Sequence, residues 1–243
     1  AMGFESLFMQ SWRLRELVLD IFEQTTGGRV IFSVCKVGGV RRDLDGDKIK
    51  LFRDNLALLK KEMDSIVPTF LEDKTVALRL KGVGVLTKAD AHNFGCVGPM
   101  ARASGLAEDV RLFSDEVYQK IGFKPITEEA GDCYARVAVR LREIVQSLEI
   151  IDVCLNNLPE GEIAVRPVGF PPKGEFFTRV EQPRGEAIYY VKGNGTKNLE
   201  RFKLRTPTNA NIPALLKMLE GADLADVPNI ILTIDPCISC TER

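Results

Sequence analysis

Between residues 5 and 25 the apolar positions Leu7, Leu14, Leu17, Val18 and Ile21 return at helical spacing, which predicts one amphipathic helix. The segment "TTGGR" stops it, with Gly27 and Gly28 available for a left-handed cap. "RVIFSVCKVGGVRRDLDGD" reads as a short extended stretch, a loop at Gly38-Gly39 and a polar turn. Residues 47–66 and 70–81 predict two helices broken at Pro68, and 88–93 a further short one. "FGCVGPMARASG" reads as a turn-rich interruption, and 105–121 has no clear period. The longest periodic segment is 131–157, where Tyr134, Val137, Ala138, Leu141, Ile144, Val145, Leu148 and Ile151 share one helical face.

The period then changes from helical to alternating. "GEFFTRVEQPRGEAIYYVKGNGTKNLERFKLRTP" predicts a small antiparallel meander from about Phe176, with "KGNGTKN" turning between two strands. A helix at about 211–221 follows, then "NIILTI" as a strand that carries the chain into Asp235-Pro236-Cys237. The expected class is α+β. A mainly helical region spans 1–160, and an α+β region spans 161–243 with a small antiparallel sheet and helices.

Composition narrows the function. The chain has 33 basic and 34 acidic residues, which leaves no basic excess to bind nucleic acid. No apolar run approaches the roughly 20 residues that span a bilayer, and "AMGFESLFMQSWRLREL" is patterned as a helix rather than a secretory leader. Its first residues read as an expression scar, and the chain as a piece of a longer one or a naturally split subunit. Irregular cysteine spacing argues against a secreted disulfide framework. Cys35, Cys96, Cys133 and Cys154 read as small buried hydrophobes in a reducing, cytoplasmic setting.

Cys237 and Cys240 are different, because a turn brings two sulfurs three residues apart to one side. They could hold half of a four-thiolate metal site, form a redox dithiol, or be ordinary thiols at a frayed end. A complete zinc site is disfavoured by a single histidine, His92, and no second Cys-x-x-Cys. A thioredoxin-like dithiol would need a following helix, and only Thr-Glu-Arg follows Cys240. Arg184 at the head of a strand, between Pro183 and Gly185, reads as a solvated turn arginine or as a guanidinium aimed at an anion or metal-bound ligand. Thr206 and Thr208 flank Pro207; Thr208, Asn209 or Asn211 could cap the next helix.

Several segments together resemble the large subunit of nickel–iron hydrogenases. "DPCISCTER" is similar to that family's terminal Asp-Pro-Cys-x-x-Cys motif, "QPRGEA" to its Pro-Arg-Gly motif and "PTNANIP" to its Pro-Ser/Thr-x-x-Asn segment. "GRVIFSVCKVGGVRRDL" and "GCVGPMARASGLAEDVR" resemble the energy-converting, membrane-associated branch, related to the quinone-site subunit of complex I. The match runs from about Trp12 to Arg243, in family order.

The resemblance implies a centre of nickel and iron carrying carbon monoxide and cyanide. Cys237 would be a terminal nickel ligand and proton acceptor, and Cys240 would bridge the metals. Arg184, set by Pro183 and paired with Asp235, would face the metals and one cyanide; Thr208 would donate to the other. The implied reaction is reversible cleavage of hydrogen. The implied partners are an iron–sulfur small subunit and membrane ion-translocating subunits, with a ferredoxin-linked electron supply, on the cytoplasmic face of the membrane. The family's first Cys-x-x-Cys and its neighbouring glutamate are not in this sequence, so the chain alone is expected to hold no stoichiometric nickel and to be inactive. Relatives ending in histidine use it for a structural metal, and Arg243 stands there instead. Two other readings remain: a complex I type quinone-site subunit without metal, and a non-enzymatic zinc or redox interaction module.

Overall fold

A computed structural model describes residues 4–114, 116–168 and 171–242. Arg243 and the first three residues lie outside the described residues. The chain folds into two compact units. One is built from the segment up to Thr69 together with 145–168, the other from Phe70–Ile144 together with the segment from Pro171 onward.

In the first of these units, α1 (Glu5–Thr26) ends on Gly27, whose φ of 83° lets its N–H reach the Glu23 carbonyl at 2.8 Å. A two-residue hairpin follows, β1 (Cys35–Lys36) against β2 (Gly39–Val40), and Gly39 also bridges to Ala164. The long helix α2 (Gly46–Glu72) continues through Pro68, so the break expected there is absent. The helix ends instead at Asp73. Its carboxylate accepts the Thr75 and Val76 amides and starts α3 (Lys74–Leu80). A side-chain cap stops one helix and begins the next more decisively than one missing N–H. Leu14, Leu56, Leu59 and Ile66 bury against Leu148 and Leu155, from the second half of α8 (Cys133–Asn156).

The other unit carries the chemistry. α4 (Lys88–Asn93) is capped by Thr87. The expected interruption at "FGCVGPMARASG" contains a helix, α5 (Pro99–Ala103), with Pro99 in its first turn and every residue buried. Proline is preorganised for that position, so the residue that looked like a breaker is an initiator. Two short helices, α6 (Arg111–Ser114) and α7 (Glu116–Lys120), precede α8. In the first half of α8 the buried residues are Cys133, Ala135, Arg136, Ala138 and Val139, while Ile144, expected on the apolar face, is 44% exposed. Strands β3 (Lys173–Gln182), β4 (Gly185–Asn194) and β5 (Leu199–Arg205) form the antiparallel meander in the order β3-β4-β5.

Helix α9 (Pro207–Leu219) starts four residues before the expected position, again on a proline. "NIILTI" is not a strand. It lies mostly in α10 (Val227–Thr233), and a single turn, α11 (Ile238–Thr241), follows around the last cysteines. A strand would bury Ile230, Leu232 and Ile234 together, but Leu232 is 60% exposed and the buried set is Asn229, Ile230, Thr233 and Ile234, spaced as on one helical face. The short apolar run fits either period, and Pro228 in the first turn decides for helix. Cys35 is exposed and Cys154 half-buried, so only Cys96 and Cys133 are fully buried thiols among the four expected. The α+β class stands, and no helix among the described residues is long and apolar enough to cross a membrane.

Candidate metal or dithiol centre

Pro183 and Arg184 are the two loop residues of the β3–β4 hairpin, since Gln182 pairs with Gly185. The hairpin tip rests directly on another backbone. Gly98, at the start of α5, has a φ of 67°, and a Cβ there would fall 2.3 Å from the Arg184 carbonyl oxygen. Gly185 has a φ of 127°, and its Cβ would fall 2.7 Å from the Gly98 nitrogen. Only two glycines allow this seam, which fixes where Arg184 leaves the sheet.

The opposite wall is the tail. After α10, Asp235 takes a φ of 57°, the left-handed region, as the single non-glycine to do so among the described residues. The turn delivers its carboxylate and carbonyl to Arg184. Nε of Arg184 donates to the Asp235 carbonyl at 2.9 Å and lies 3.1 Å from Oδ2; Nη2 reaches Oδ1 at 3.4 Å.

A second guanidinium holds the same turn. Arg140 of α8 donates to the Thr233 carbonyl at 3.4 Å and the Ile234 carbonyl at 3.0 Å, and lies 3.6 Å from Asp235 Oδ2. It satisfies the open carbonyls at the end of α10. One turn earlier, buried Arg136 donates to Thr233 Oγ1 at 3.1 Å, to the Gly131 carbonyl at 2.8 Å and to Cys133 Sγ at 3.2 Å. Burial weighs against the charge of both arginines. Cys133 and Asp132 oppose this at Arg136, and Asp235 and Glu143 oppose it at Arg140. Neither arginine is among the residues singled out from sequence. The two arginines lie four apart on α8, off the apolar face of Tyr134, Val137, Ala138 and Leu141, where charge ordinarily marks solvent.

Helix α9 anchors the tail from beneath. Thr206 is its N-cap residue, in place of the expected Thr208, Asn209 or Asn211, and it makes no side-chain cap bond. Its hydroxyl instead donates to the Cys240 carbonyl. The Cys237 amide donates to Thr208 Oγ1 at 3.3 Å. Asn211 grips Val97, beside the glycine seam, through bonds of 3.0 and 3.2 Å. Arg184, Asp235, Thr208, Cys237 and Cys240 therefore meet, with Pro183 setting the loop. His92 is exposed and takes no part.

The two thiols are not equivalent. Cys237 Sγ lies 3.2 Å from Ser239 Oγ. That hydrogen bond, then bonds from Cys240 and the charge of Arg184, lower the Cys237 thiol to about 7. Cys240 moves up, through burial first and the neighbouring Cys237 second. The thiolate form of Cys237 is thus favoured above about pH 7 and lost below it. Timed alkylation with peptide mass spectrometry is expected to label Cys237 first, its rate rising through about pH 7, while Cys240 responds only at higher pH. Equal labelling at all pH values would contradict this asymmetry.

Soft thiolates suit nickel and low-spin iron, so the donor type fits the implied metals. Their number gives one half of a four-thiolate set. Among the described residues no three His, Cys, Asp or Glu side chains come together as a metal group.

The family model for "Respiratory-chain NADH dehydrogenase, 49 Kd subunit" matches residues 1–171 and 167–243. The chain is 42% identical to the "Carbon monoxide-induced hydrogenase" of Rhodospirillum rubrum, over 99% of this chain and 67% of that protein. It is 37% identical to an NADH-quinone oxidoreductase subunit of Phocaeicola vulgatus, over 100% of this chain and 47% of that one. Its fold matches a chain of the membrane-bound sulfane sulfur reductase, an archaeal respiratory membrane complex, with a TM-score of 0.89 and 36% identity, over 97% of this chain and 66% of the other. The chain thus spans between about half and two thirds of the length of these relatives.

Proposed function

Since the chain belongs to the family of the 49 kDa subunit of respiratory-chain NADH dehydrogenase, which takes in hydrogenase subunits, we propose that it carries the second cysteine pair of an energy-converting nickel–iron hydrogenase large subunit. The observation that carries this reading is the Arg184–Asp235 pair set beside Cys237 and Cys240. A nickel–iron centre, when bound, supplies the chemistry of reversible hydrogen oxidation. Cys237 and Cys240 would hold it as two of four thiolates. Cys237, with its thiol lowered toward neutrality, accepts and returns a proton at Sγ. Arg184 acts by charge and position, with Asp235 fixing its plane. Thr208 steadies the Cys237 amide. The protein would work with an iron–sulfur small subunit and membrane ion-translocating subunits, linked to ferredoxin, at the cytoplasmic face of the membrane.

The test is nickel and iron analysis of the complex isolated with its partners, beside Cys237→Ser and Cys240→Ser. Stoichiometric metal and hydrogen activity are expected in the parent and absent from both variants. Unchanged electron transfer to quinone in both variants would favour the metal-free quinone-site reading instead.

A second reading is favoured by the Cys237 thiol, lowered to about 7 beside Cys240, and by the sulfane sulfur reductase relative. The thiolate of Cys237 attacks a sulfane sulfur of a polysulfide; the adjoining S–S bond breaks, the shortened polysulfide leaves as an anion, and Cys237 carries a persulfide. Cys240 then attacks Cys237 and expels hydrosulfide, leaving a disulfide, and two electrons from a partner protein with two protons restore the dithiol. A metal-free complex that releases sulfide from polysulfide, and loses that activity in either serine variant, selects this reading.

A further inference from the structure

A cluster of ionisable side chains lies behind the hairpin tip, and none of them is used by the chemistry above. Arg102 of α5 is 1% exposed and binds three carboxylates: Asp109 at 2.9 Å, Glu181 at 2.9 Å and Glu143 of α8 at 2.7 Å. Asp109 has a second partner, Arg111, at 2.7 Å. These five side chains carry three formal negative charges and two positive ones. Arg140, which interacts with Glu143, brings the positive charges to three, but Asp109 and Glu181 share a single guanidinium nitrogen of Arg102, and two buried carboxylates on one donor favour a bound proton.

Geometry says which carboxyl takes the proton. Asp109 is held by two guanidiniums. Glu143 is the most exposed of the three, at 15% against 4% for Glu181 and 0% for Asp109. Glu181 has one share of a guanidinium nitrogen that also serves Asp109, and the Val110 amide at 3.2 Å. Burial first, and Asp109 as a further negative neighbour, move the Glu181 carboxyl upward against the pull of Arg102. Its other charged neighbours are Arg111, Glu108 and, from the sheet, Arg179 paired to Glu186 at 3.2 Å; Glu108, Arg179 and Glu186 line a cavity of about 300 Å³ with Glu181 and Gly98.

The cluster is also joined to the cysteine site. Asp235 meets Arg140, Arg140 interacts electrostatically with Glu143 one turn along α8, and Glu143 and Glu181 share Arg102. Charges alternate in sign along this line, so a change at one end is felt at the other.

We propose that Glu181 is a proton-storing carboxyl, linked through Arg102, Glu143 and Arg140 to Asp235 and the cysteine site, and exchanging its proton with water in the adjoining cavity. Proton storage stands on this chain alone; its service to the cysteines rests on the function proposed above. When the cysteine site loses negative charge the proton leaves for the cavity, and when the charge returns the proton is taken back. The arginines pass on charge, not protons.

Infrared spectroscopy of the whole chain tests both parts without any catalytic assay. A carboxylic acid band that persists above the pH at which ordinary carboxyls lose theirs is expected, lost in Glu181→Gln, with circular dichroism reporting that the variant is folded. Asp235→Asn removes a negative charge from the far end of the line. Arg140 then serves Glu143 more fully, Arg102 serves Glu181 more fully, and the midpoint at which the band disappears moves to lower pH. No protonated band, or one that survives Glu181→Gln, overturns the storage site; an unmoved midpoint in Asp235→Asn overturns the link. A metal-free or hydrogen-inactive complex leaves both readouts intact and counts only against the function proposed above.

Discussion

Gly185→Ala is expected to lower stability by roughly 3 kcal/mol, combining about 1–3 kcal/mol for a side chain at positive φ with about 1–3 kcal/mol for overpacking. The position has a φ of 127°, and the added methyl would meet the Gly98 backbone at 2.7–2.8 Å, where no flexible side chain can swing away. Gly221→Ala separates the two costs. Gly221 also has a positive φ, 73°, but nothing lies within 4 Å of its Cβ position, so only the conformational cost of about 1–2 kcal/mol applies. Urea denaturation of both variants measures the difference. Equal losses would mean that the seam yields without cost. The same substitution at Gly185 is expected to free Arg184 from Asp235, because the hairpin tip must lift off α5 to admit the methyl.

Local chemistry explains what could be read from the sequence. The α1 stop at Gly27 and the "KGNGTKN" turn are written in residues that have few other conformations. The close approach joins Gly185 to Gly98, 87 residues earlier in the numbering, and no local signal links the two. Prolines misled in both directions. Pro68 sits inside a helix, while Pro99, Pro207 and Pro228 start helices. A proline forbids one hydrogen bond, and whether that matters depends on whether the helix has begun. The tail motif drew attention to Asp235, Cys237 and Cys240, and the Pro-Arg-Gly segment to Arg184. Arg136 and Arg140 were hidden inside a periodic helix, where charge normally marks the solvated side. The Arg102 cluster joins residues 41 and 79 positions apart in sequence, and only folding brings them together.

Arg184→Lys is expected to reduce turnover of the intact complex by about 10–100-fold, the usual cost of losing a group that orients the ligands of a centre. The charge is conserved and the geometry is not. Arg184 presents two nitrogens in one plane, which bind the Asp235 carbonyl and both carboxylate oxygens. An ammonium can satisfy one of these while the others turn to water. Asp235 then loses the side chain that compensates its left-handed backbone, whose cost is about 1–3 kcal/mol. Arg140 still caps α10, so the helix persists and the disturbance is confined to the turn that carries the cysteines. This predicts a specific pattern: near-parental stability, retained metal, and slow turnover that the lysine charge does not rescue. Activity and elemental analysis on the same preparation measure it. Lysine at full activity would show that charge alone suffices at position 184, and metal lost in proportion to activity would make Arg184 a structural brace for the cysteine tail rather than a participant in the chemistry beside it.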